Sequence, residues 1–192
     1  MKNVAKLELA PHSLDTAQGR TKEVLDIAMK QTGMIPNMYA NMSNSPGLLE
    51  TYLFGYNLFR KESDFTPAEQ EVVFLTISRL NECTYCMAAH SMIAEVASKT
   101  PAQAIAALRD DKPIEDPKLR ALSAFTRVMV ESRGRPTPDD VRAFTAVGYS
   151  ERQVLEIILA MAVKTISNYS NHVFHTEVDS RFAGHAWQPQ TR

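Results

Sequence analysis

The chain has 192 residues, of which 44% are hydrophobic and 22% are charged, and its formal net charge is -1. This composition is typical of a globular protein that is long enough to bury its own core. It gives no reason to expect binding to nucleic acid or to an anionic membrane, and no apolar run approaches the roughly 20 residues that span a bilayer. The first residues contain no apolar stretch of signal-peptide length, so we expect a cytoplasmic protein.

The spacing of prolines and capping residues predicts an all-α fold. A capping side chain satisfies a free backbone N–H, and a proline in the next position has no N–H to lose. Five prolines follow such residues, namely Ser45, Thr66, Thr100, Asp116 and Thr137. Capping boxes are predicted for Thr66 with Glu69, Thr100 with Gln103, and Ser150 with Gln153. Together these signals predict helices at about 21–32, 46–61, 67–80, 83–98, 101–109, 117–132, 138–147 and 151–167.

A weak internal repeat relates two parts of the chain. The sequence CTYC at 83–86 aligns with SNYS at 167–170, so both cysteines are replaced by serine. The match is either chance or a duplicated helical hairpin in which only the first copy kept its thiols. We expect a single domain over 1–192, organised as a core motif at 66–98, a degenerate second copy at 150–174 and a tail at 181–192.

The only two cysteines, Cys83 and Cys86, are three residues apart, and His90 follows four residues later. If a helix begins at Cys83, all three side chains share one face. Free N–H groups in the first turn stabilise a thiolate, and a histidine one turn away can relay a proton. A redox dithiol is the favoured interpretation. The alternatives are two inert buried thiols, or a zinc site with Glu71 as the fourth ligand.

A carboxylate normally orients such a histidine, and Glu71 and Glu82 are the candidates. Glu82 is expected to face solvent at the start of the helix. In one unbroken helix Glu71 would lie about 18 Å from the cysteines, too far to cooperate with them. If the chain turns at Asn81-Glu82, the two helices pack side by side and Glu71 faces His90.

The segment TPAEQEVVFLTISRLNECTYCMAAHS, residues 66–91, resembles the core motif of the AhpD-like alkylhydroperoxidases. These form the CxxC-containing branch of the carboxymuconolactone decarboxylase superfamily. The shared pattern is a glutamate, eleven residues, CxxC, three residues and a histidine, and every spacing matches. The resemblance implies an AhpD-like multi-helix bundle that assembles as a homo-oligomer, a trimer or hexamer. It also implies an enzyme without a metal or organic cofactor.

The resemblance further implies a role for each residue of the motif. Cys86 attacks a hydroperoxide and becomes a sulfenic acid, and Cys83 resolves it to a disulfide. An unidentified dithiol or protein reductant then reopens the disulfide. His90 and Glu71 relay protons. Tyr85 stands where some family members carry a histidine, so a shorter or slower relay is expected.

The expected function is therefore that of a thiol-dependent peroxidase or disulfide oxidoreductase acting on organic hydroperoxides. The alternative is a non-catalytic redox-sensing or dithiol-exchange protein whose oxidation switches its assembly.

Other residues carry weaker signals. His172 and His175 have a spacing that can bind a metal, although surface or capping histidines are the commoner outcome. Segments 34–42 and 50–59, rich in methionine and aromatic residues, predict core packing, a subunit interface or an apolar access channel. Trp187 is expected to anchor on a neighbouring subunit or to touch substrate.

Overall fold

A computed structural model describes residues 4–189, and all regular structure within that range is helical. The prediction of an all-α fold is confirmed. The helices are α1 (Gly19–Thr32), α2 (Asn37–Met42), α3 (Pro46–Glu62), α4 (Pro67–Leu80), α5 (Thr84–Val96), α6 (Ala102–Asp110), α7 (Pro117–Glu131), α8 (Pro138–Ala146), α9 (Glu151–Phe174) and a 3₁₀ helix (Ser180–His185). The short helix α2 was not predicted, since residues 37–42 carry no proline or capping box at their start.

Most helices begin at the positions that the capping residues predicted. Thr66, Thr137 and Ser150 each close a capping box. The Asp116 side chain accepts a hydrogen bond from the backbone N–H of Leu119. These caps fix the starts of α4, α7, α8 and α9 and therefore the registers in which those helices pack.

The capping box predicted at Thr100 is wrong. Helix α6 begins at Ala102, with Pro101 in the capping position. The backbone N–H of Thr100 donates to the carbonyl of Ala94 at 2.9 Å, which closes the end of α5 and turns Thr100 inward. Its hydroxyl is buried and, among the residues that the structure describes, has no hydrogen-bond partner.

Of the two interpretations of the weak repeat, the structure does not favour a duplicated hairpin, because α9 runs without a break from Glu151 to Phe174. Positions 81–82 form a turn in which Glu82 adopts a left-handed backbone conformation with φ 54°. The aligned positions, Thr165 and Ile166, lack turn-forming side chains and continue the helix. Residues 150–174 therefore contribute one long helix.

Helix α4 lies at the centre of the fold, in contact with α5, α6, α7 and α9. Every residue from Glu69 to Ser78 is buried, so polar side chains on this helix need partners inside the protein. The hydroxyls of Thr76 and Ser78 each donate to a carbonyl one turn earlier, at 2.7 Å. Glu71 is the buried carboxylate of this helix on the side that faces α5.

The segment after α9 packs back on the bundle. The 3₁₀ helix lies against α5, and the Trp187 indole Nε1 donates to the Arg109 carbonyl at 3.0 Å. The Arg79 guanidinium lies 5.1 Å from the centroid of the Trp187 ring. Trp187 is thus buried within its own chain, not held free for a neighbouring subunit or substrate as predicted. No helix in the described range combines the length and the hydropathy needed to cross a membrane.

Candidate active site

The turn at Asn81-Glu82 brings Glu71 and His90 together. Helix α4 ends at Leu80, α5 begins at Thr84, and the two helices pack side by side. His90 Nδ1 and Glu71 Oε2 are 2.8 Å apart, within hydrogen-bond distance. Glu82 is exposed, as expected. The contact predicted between Glu71 and His90 is therefore present.

Both cysteines are reduced and buried at the start of α5. Cys83 occupies the capping position and Cys86 lies in the first turn. They expose only 1% and 2% of their surface, and the two residues are 3.5 Å apart. At this separation one thiol can donate a hydrogen bond to the other, and a small movement suffices to close a disulfide.

Glu71 is held as a carboxylate by the groups around it. Oε2 accepts from His90, while Oε1 accepts from Arg60 and, at 3.4 Å, from the Ser98 hydroxyl. Burial raises the pKa of Glu71, but the charges and hydrogen bonds of His90 and Arg60 outweigh burial and lower it overall. A carboxylate at Oε2 fixes the hydrogen of the imidazole on Nδ1, so Nε2 is left to accept a proton.

His90 is a neutral base in this environment. Its ring is buried and lies 4.9 Å, centroid to centroid, from Phe74 and 6.4 Å from Tyr56. Burial and the nearby charge of Lys164 lower the pKa of His90, and Glu71 opposes them only in part. The imidazole is thus available to accept a proton one helical turn after Cys86.

The two thiols differ in acidity. Burial raises the pKa of Cys86, but a hydrogen bond from Cys83 and the charge of Lys164 outweigh burial and hold it well below its ordinary value of 9.0. The hydrogen bond to Cys86 and burial raise the pKa of Cys83 well above that value. Cys86 is therefore the more acidic thiol of the pair.

Helix α9 supplies three polar residues that the sequence did not identify. Lys164, Ser167 and Asn171 lie at i, i+3 and i+7, on one buried face. Asn171 Nδ2 lies 3.3 Å from the sulfur of Cys86 and 3.7 Å from that of Cys83. These residues lay inside the segment that aligns with the CxxC motif, and polar side chains on the buried stripe of a long helix were the signal for them.

An apolar cavity of about 190 Å³ opens beside Cys86. Segments 34–42 and 50–59 contribute much of its wall, which agrees with the access channel expected from their composition. Cys83 is not among its lining residues. The residues closest to the chemistry are Cys86, His90, Tyr39, Tyr52, Tyr56 and Tyr85.

Tyr85 does not replace the family's additional histidine in a relay. Its hydroxyl donates to the Asp179 carboxylate, and its ring meets Phe182 edge-on at 6.1 Å between centroids. Burial and the Asp179 carboxylate raise the pKa of Tyr85. Tyr85 therefore stays neutral and forms part of the cavity wall.

The structure does not bring His172 and His175 into a metal site. His175 ends α9 in a left-handed conformation, and its ring lies 3.1 Å from the Val4 carbonyl. Within residues 4–189 no cluster of three or more His, Cys, Asp or Glu side chains could hold a metal ion. The four residues considered as zinc ligands, Glu71 among them, form no such cluster.

Comparison with known proteins agrees with this geometry. Residues 49–127 match the model of the carboxymuconolactone decarboxylase family. Among curated proteins no significant match was found.

Two similar solved structures are peroxidase-related proteins. One is the alkylhydroperoxidase AhpD core of an uncharacterised protein from Ralstonia eutropha, with 19% identity, a TM-score of 0.78, and coverage of 91% of this chain and 93% of the other. Another, from a Silicibacter species, has 19% identity, a TM-score of 0.73, and coverage of 93% and 96%.

The debrominase Bmp8 is also similar. A cysteine-to-alanine variant, solved in complex with 2,3,4-tribromopyrrole, has 16% identity and a TM-score of 0.75. The alignment covers 95% of this chain and 97% of that one.

The chain has the all-helical fold of the AhpD core structure, over 91% of its length. Residues 49–127, which include the CxxC site, are similar to the carboxymuconolactone decarboxylase family, in agreement with the resemblance seen in the sequence.

Proposed function

We propose that the protein is a thiol-dependent peroxidase that reduces small organic hydroperoxides. The observation that carries this proposal is the pairing of Glu71 and His90, at 2.8 Å, one helical turn from a buried thiolate. An inert pair of buried thiols has no need of an oriented base or of a cavity that reaches only one sulfur. The family match of residues 49–127 and the peroxidase-related neighbours add support.

In the first step, the Cys86 thiolate attacks the terminal oxygen of ROOH. An S–O bond forms, the O–O bond breaks, and Cys86 becomes a sulfenic acid while RO⁻ departs. The alkoxide needs one proton to leave as ROH. This proton balances the one that Cys86 lost when it ionised: Nε2 of His90, which is unprotonated in the tautomer that Glu71 fixes, takes a proton from water and passes it to the alkoxide.

In the second step, the sulfur of Cys83 attacks the sulfur of the Cys86 sulfenic acid. A disulfide forms, and hydroxide leaves with the thiol proton of Cys83 as water. An external dithiol then reduces the disulfide by thiol exchange and is itself oxidised. The net reaction converts ROOH and two thiol groups into ROH, water and one disulfide.

The cavity favours an apolar R group. Its wall is formed mainly by aromatic rings and methionines, and burial raises the pKa values of Tyr52 and Tyr56, which keeps both neutral. A charged hydroperoxide would lose its hydration against these rings, because Arg181, the charged side chain among the lining residues, is exposed to solvent. Small aromatic or branched hydroperoxides are therefore the proposed substrates.

We also propose that the protein forms a homo-oligomer, as the resemblance implies. Phe54 on α3 and Leu155 on α9 are large apolar side chains that remain 66% and 67% exposed, and Ile158 is 46% exposed. Helices α3 and α9 pack on each other, so these residues lie on neighbouring elements. A second copy of the chain is the proposed partner for this surface.

The test is steady-state reduction of cumene hydroperoxide with dithiothreitol, comparing the native protein with Cys86→Ser and Cys83→Ser. We expect Cys86→Ser to abolish turnover. When one equivalent of hydroperoxide is added without dithiothreitol, Cys83→Ser should accumulate the Cys86 sulfenic acid, which dimedone traps. Stoichiometric oxidation to the disulfide without turnover would instead support the redox-sensing or dithiol-exchange alternative, and light scattering would then test whether oxidation changes the assembly.

The cavity favours a second candidate, reductive dehalogenation of a small aromatic compound. The same dithiol supplies two electrons, so a bromoarene plus two thiol groups would give the arene, a disulfide, bromide and a proton. An apolar wall with aromatic rings suits a planar halogenated ring as well as it suits a hydroperoxide. Bromide release from 2,3,4-tribromopyrrole, measured beside peroxide reduction under the same dithiol, decides between the two reactions.

A further inference from the structure

Lys164 is a buried cation without a hydrogen-bonded partner. Its side chain is fully buried in α9, and its Nζ has no hydrogen-bond acceptor within residues 4–189. The nearest aromatic contact is Phe74, whose ring centroid lies 5.4 Å from Nζ. An ammonium in such a place costs several kcal/mol unless an anion compensates it. A buried ammonium at Lys164 therefore requires an anion nearby.

The carboxylates near the site are already engaged. Glu71 accepts from Arg60 and His90, and Glu156, two turns before Lys164 on α9, pairs with Arg152. Within the described range Lys164 forms no ion pair with a carboxylate closer than 4 Å. A carboxylate therefore does not explain why the cation is buried here.

The face of α9 that carries Lys164 is the face that meets the sulfurs. Asn171, two turns after Lys164 on this face, donates to the sulfur of Cys86 at 3.3 Å. Lys164 is not among the residues that line the apolar cavity. It therefore approaches the dithiol from the α9 side, away from the cavity through which substrate arrives.

We propose that Lys164 is the counter-ion of the Cys86 thiolate, a positioning residue that acts through the sulfur and does not touch the substrate. This inference rests on the proposed function of the dithiol. The charge of Lys164 acts on both members of the site, because it lowers the pKa of Cys86 and also that of His90. A single buried cation thereby keeps the nucleophile ionised and the base neutral.

Other charged or titratable groups face Cys86 from every element packed around it. They are Cys83, Tyr85 and His90 of the CxxC segment and α5, Glu71 of α4, Tyr52, Tyr56 and Arg60 of α3, Tyr39 of α2, and His172 of α9. Arg60 is bound to Glu71, and burial lowers the pKa of His172. Arg181 also lines the cavity beside Cys86, but it is exposed to solvent, whereas Lys164 is fully buried on the other side of the dithiol.

The counter-ion also affects the redox equilibrium of the dithiol. When Cys86 forms the disulfide it loses its negative charge, and Lys164 is again buried without an anion. The reduced state is thus stabilised relative to the oxidised state, which makes the disulfide a stronger oxidant. Removal of the charge should shift the equilibrium with glutathione toward the disulfide.

The test compares Lys164→Met with Lys61→Met, which removes the same charge from an exposed position on α3. Reduced protein is alkylated with iodoacetamide across a pH series, and peptide mass analysis reports Cys86 and Cys83 separately. In Lys164→Met we expect the midpoint for Cys86 to rise by about 1–3 pH units, the range for losing a nearby opposite charge. Lys61→Met should leave it unchanged. An unmoved midpoint in Lys164→Met overturns the proposal.

A merely structural role for Lys164 gives a different result. A loosened site admits water, which relieves the burial that raises the Cys86 pKa, so the midpoint would fall instead of rising. Loss of the cation raises the pKa of His90 as well, and proton NMR of the imidazole follows that change. If Lys164→Met does not fold, Lys164→Gln replaces it in the test, and the midpoint for alkylation of Cys86 should rise in that variant as well.

The redox equilibrium supplies a readout independent of thiol acidity. In Lys164→Met the equilibrium constant for reduction by glutathione should fall at least tenfold, equivalent to about 30 mV for this two-electron couple. An unchanged constant argues against the counter-ion. Neither measurement uses peroxide, so a protein inactive toward peroxides can still satisfy the proposal, and an active enzyme can still refute it.

Discussion

Replacing Glu71 with glutamine separates the orientation of His90 from the presence of the thiols. The carboxylate accepts from His90, Arg60 and Ser98. A glutamine has one carbonyl oxygen and one amide nitrogen, so it can accept from His90 or from Arg60 but not fully from both. The amide nitrogen of the glutamine, itself a donor, then faces the N–H of either His90 or Arg60. We expect Glu71→Gln to reduce the free energy of unfolding by about 3 kcal/mol, at the low end for breaking a buried charged pair.

The expected loss of activity follows from the tautomer. Without an acceptor at Nδ1 the imidazole no longer has a fixed orientation, and the proton relay at Nε2 weakens. Loss of an oriented acid–base group costs on the order of 10²–10⁴-fold in rate. The assay is hydroperoxide reduction with dithiothreitol at a temperature where urea titration shows the variant to be folded.

Glu69 provides the matched control because it is a buried glutamate on the same helix. It closes the capping box with Thr66 and accepts from the Tyr149 hydroxyl at 3.0 Å, away from the dithiol. Glu69→Gln should lose stability while keeping its turnover. Turnover of Glu71→Gln within threefold of the native protein would refute the assigned role of the carboxylate.

The same variant tests the dependence of stability on pH. The pKa of Glu71 in the folded protein lies below its ordinary value of 4.5, so its contribution is fully present above pH 4.5. That contribution is lost as the pH falls through the lowered folded-state pKa. The difference in unfolding free energy between the native protein and Glu71→Gln should therefore be largest near pH 7 and shrink below pH 4.5. A constant difference from pH 7 to pH 3 would contradict this.

Three further predictions concern other parts of the structure. Asn171→Leu removes the amide donor to Cys86, and thiolate-dependent alkylation at neutral pH should slow about tenfold, the equivalent of a hydrogen bond to a charged group; an unchanged rate would exclude that role. Trp187→Ala should destabilise the protein by about 3 kcal/mol in urea titration followed by circular dichroism, because it empties a buried site; a loss below about 1 kcal/mol would mean that the segment does not stabilise the fold. Phe54→Glu and Leu155→Gln, which replace exposed apolar side chains on α3 and α9, should each lower the mass measured by light scattering if these residues form a subunit interface; an unchanged mass in both would place that interface elsewhere.

Local signals predicted the part of the site that lies on consecutive helices. Cys83, Cys86 and His90 needed only helical spacing, and Glu71 needed one turn at Asn81-Glu82. That turn depends on a left-handed residue that is not glycine, which the sequence permits but does not demand. The contacts within the core motif could therefore be predicted from the sequence, because each of them joins residues fewer than 20 positions apart.

The residues that α9 contributes to the site could not be predicted from local sequence signals. Lys164 and Asn171 lie more than 75 residues from the thiols in the chain, and their contacts depend on how α9 is rotated against α5. The sequence did contain a signal, since a lysine at 164 lies on the stripe formed by Ile157, Ala160 and Ser167. A charge on a buried stripe is rare, and it indicates a site even where no motif does.

The burial of both sulfurs has a consequence for the order of events in a catalytic cycle. A small peroxide can reach Cys86 through the cavity without any change in the fold. A protein reductant needs one sulfur of the disulfide within bonding distance of its own thiol, and side chains exposed by only 1–2% do not allow this. The segment holding Asp179 and Phe182 contacts Tyr85 beside Cys86, so under the proposed function we expect a protein reductant to require displacement of this segment, whereas a small dithiol can enter through the cavity.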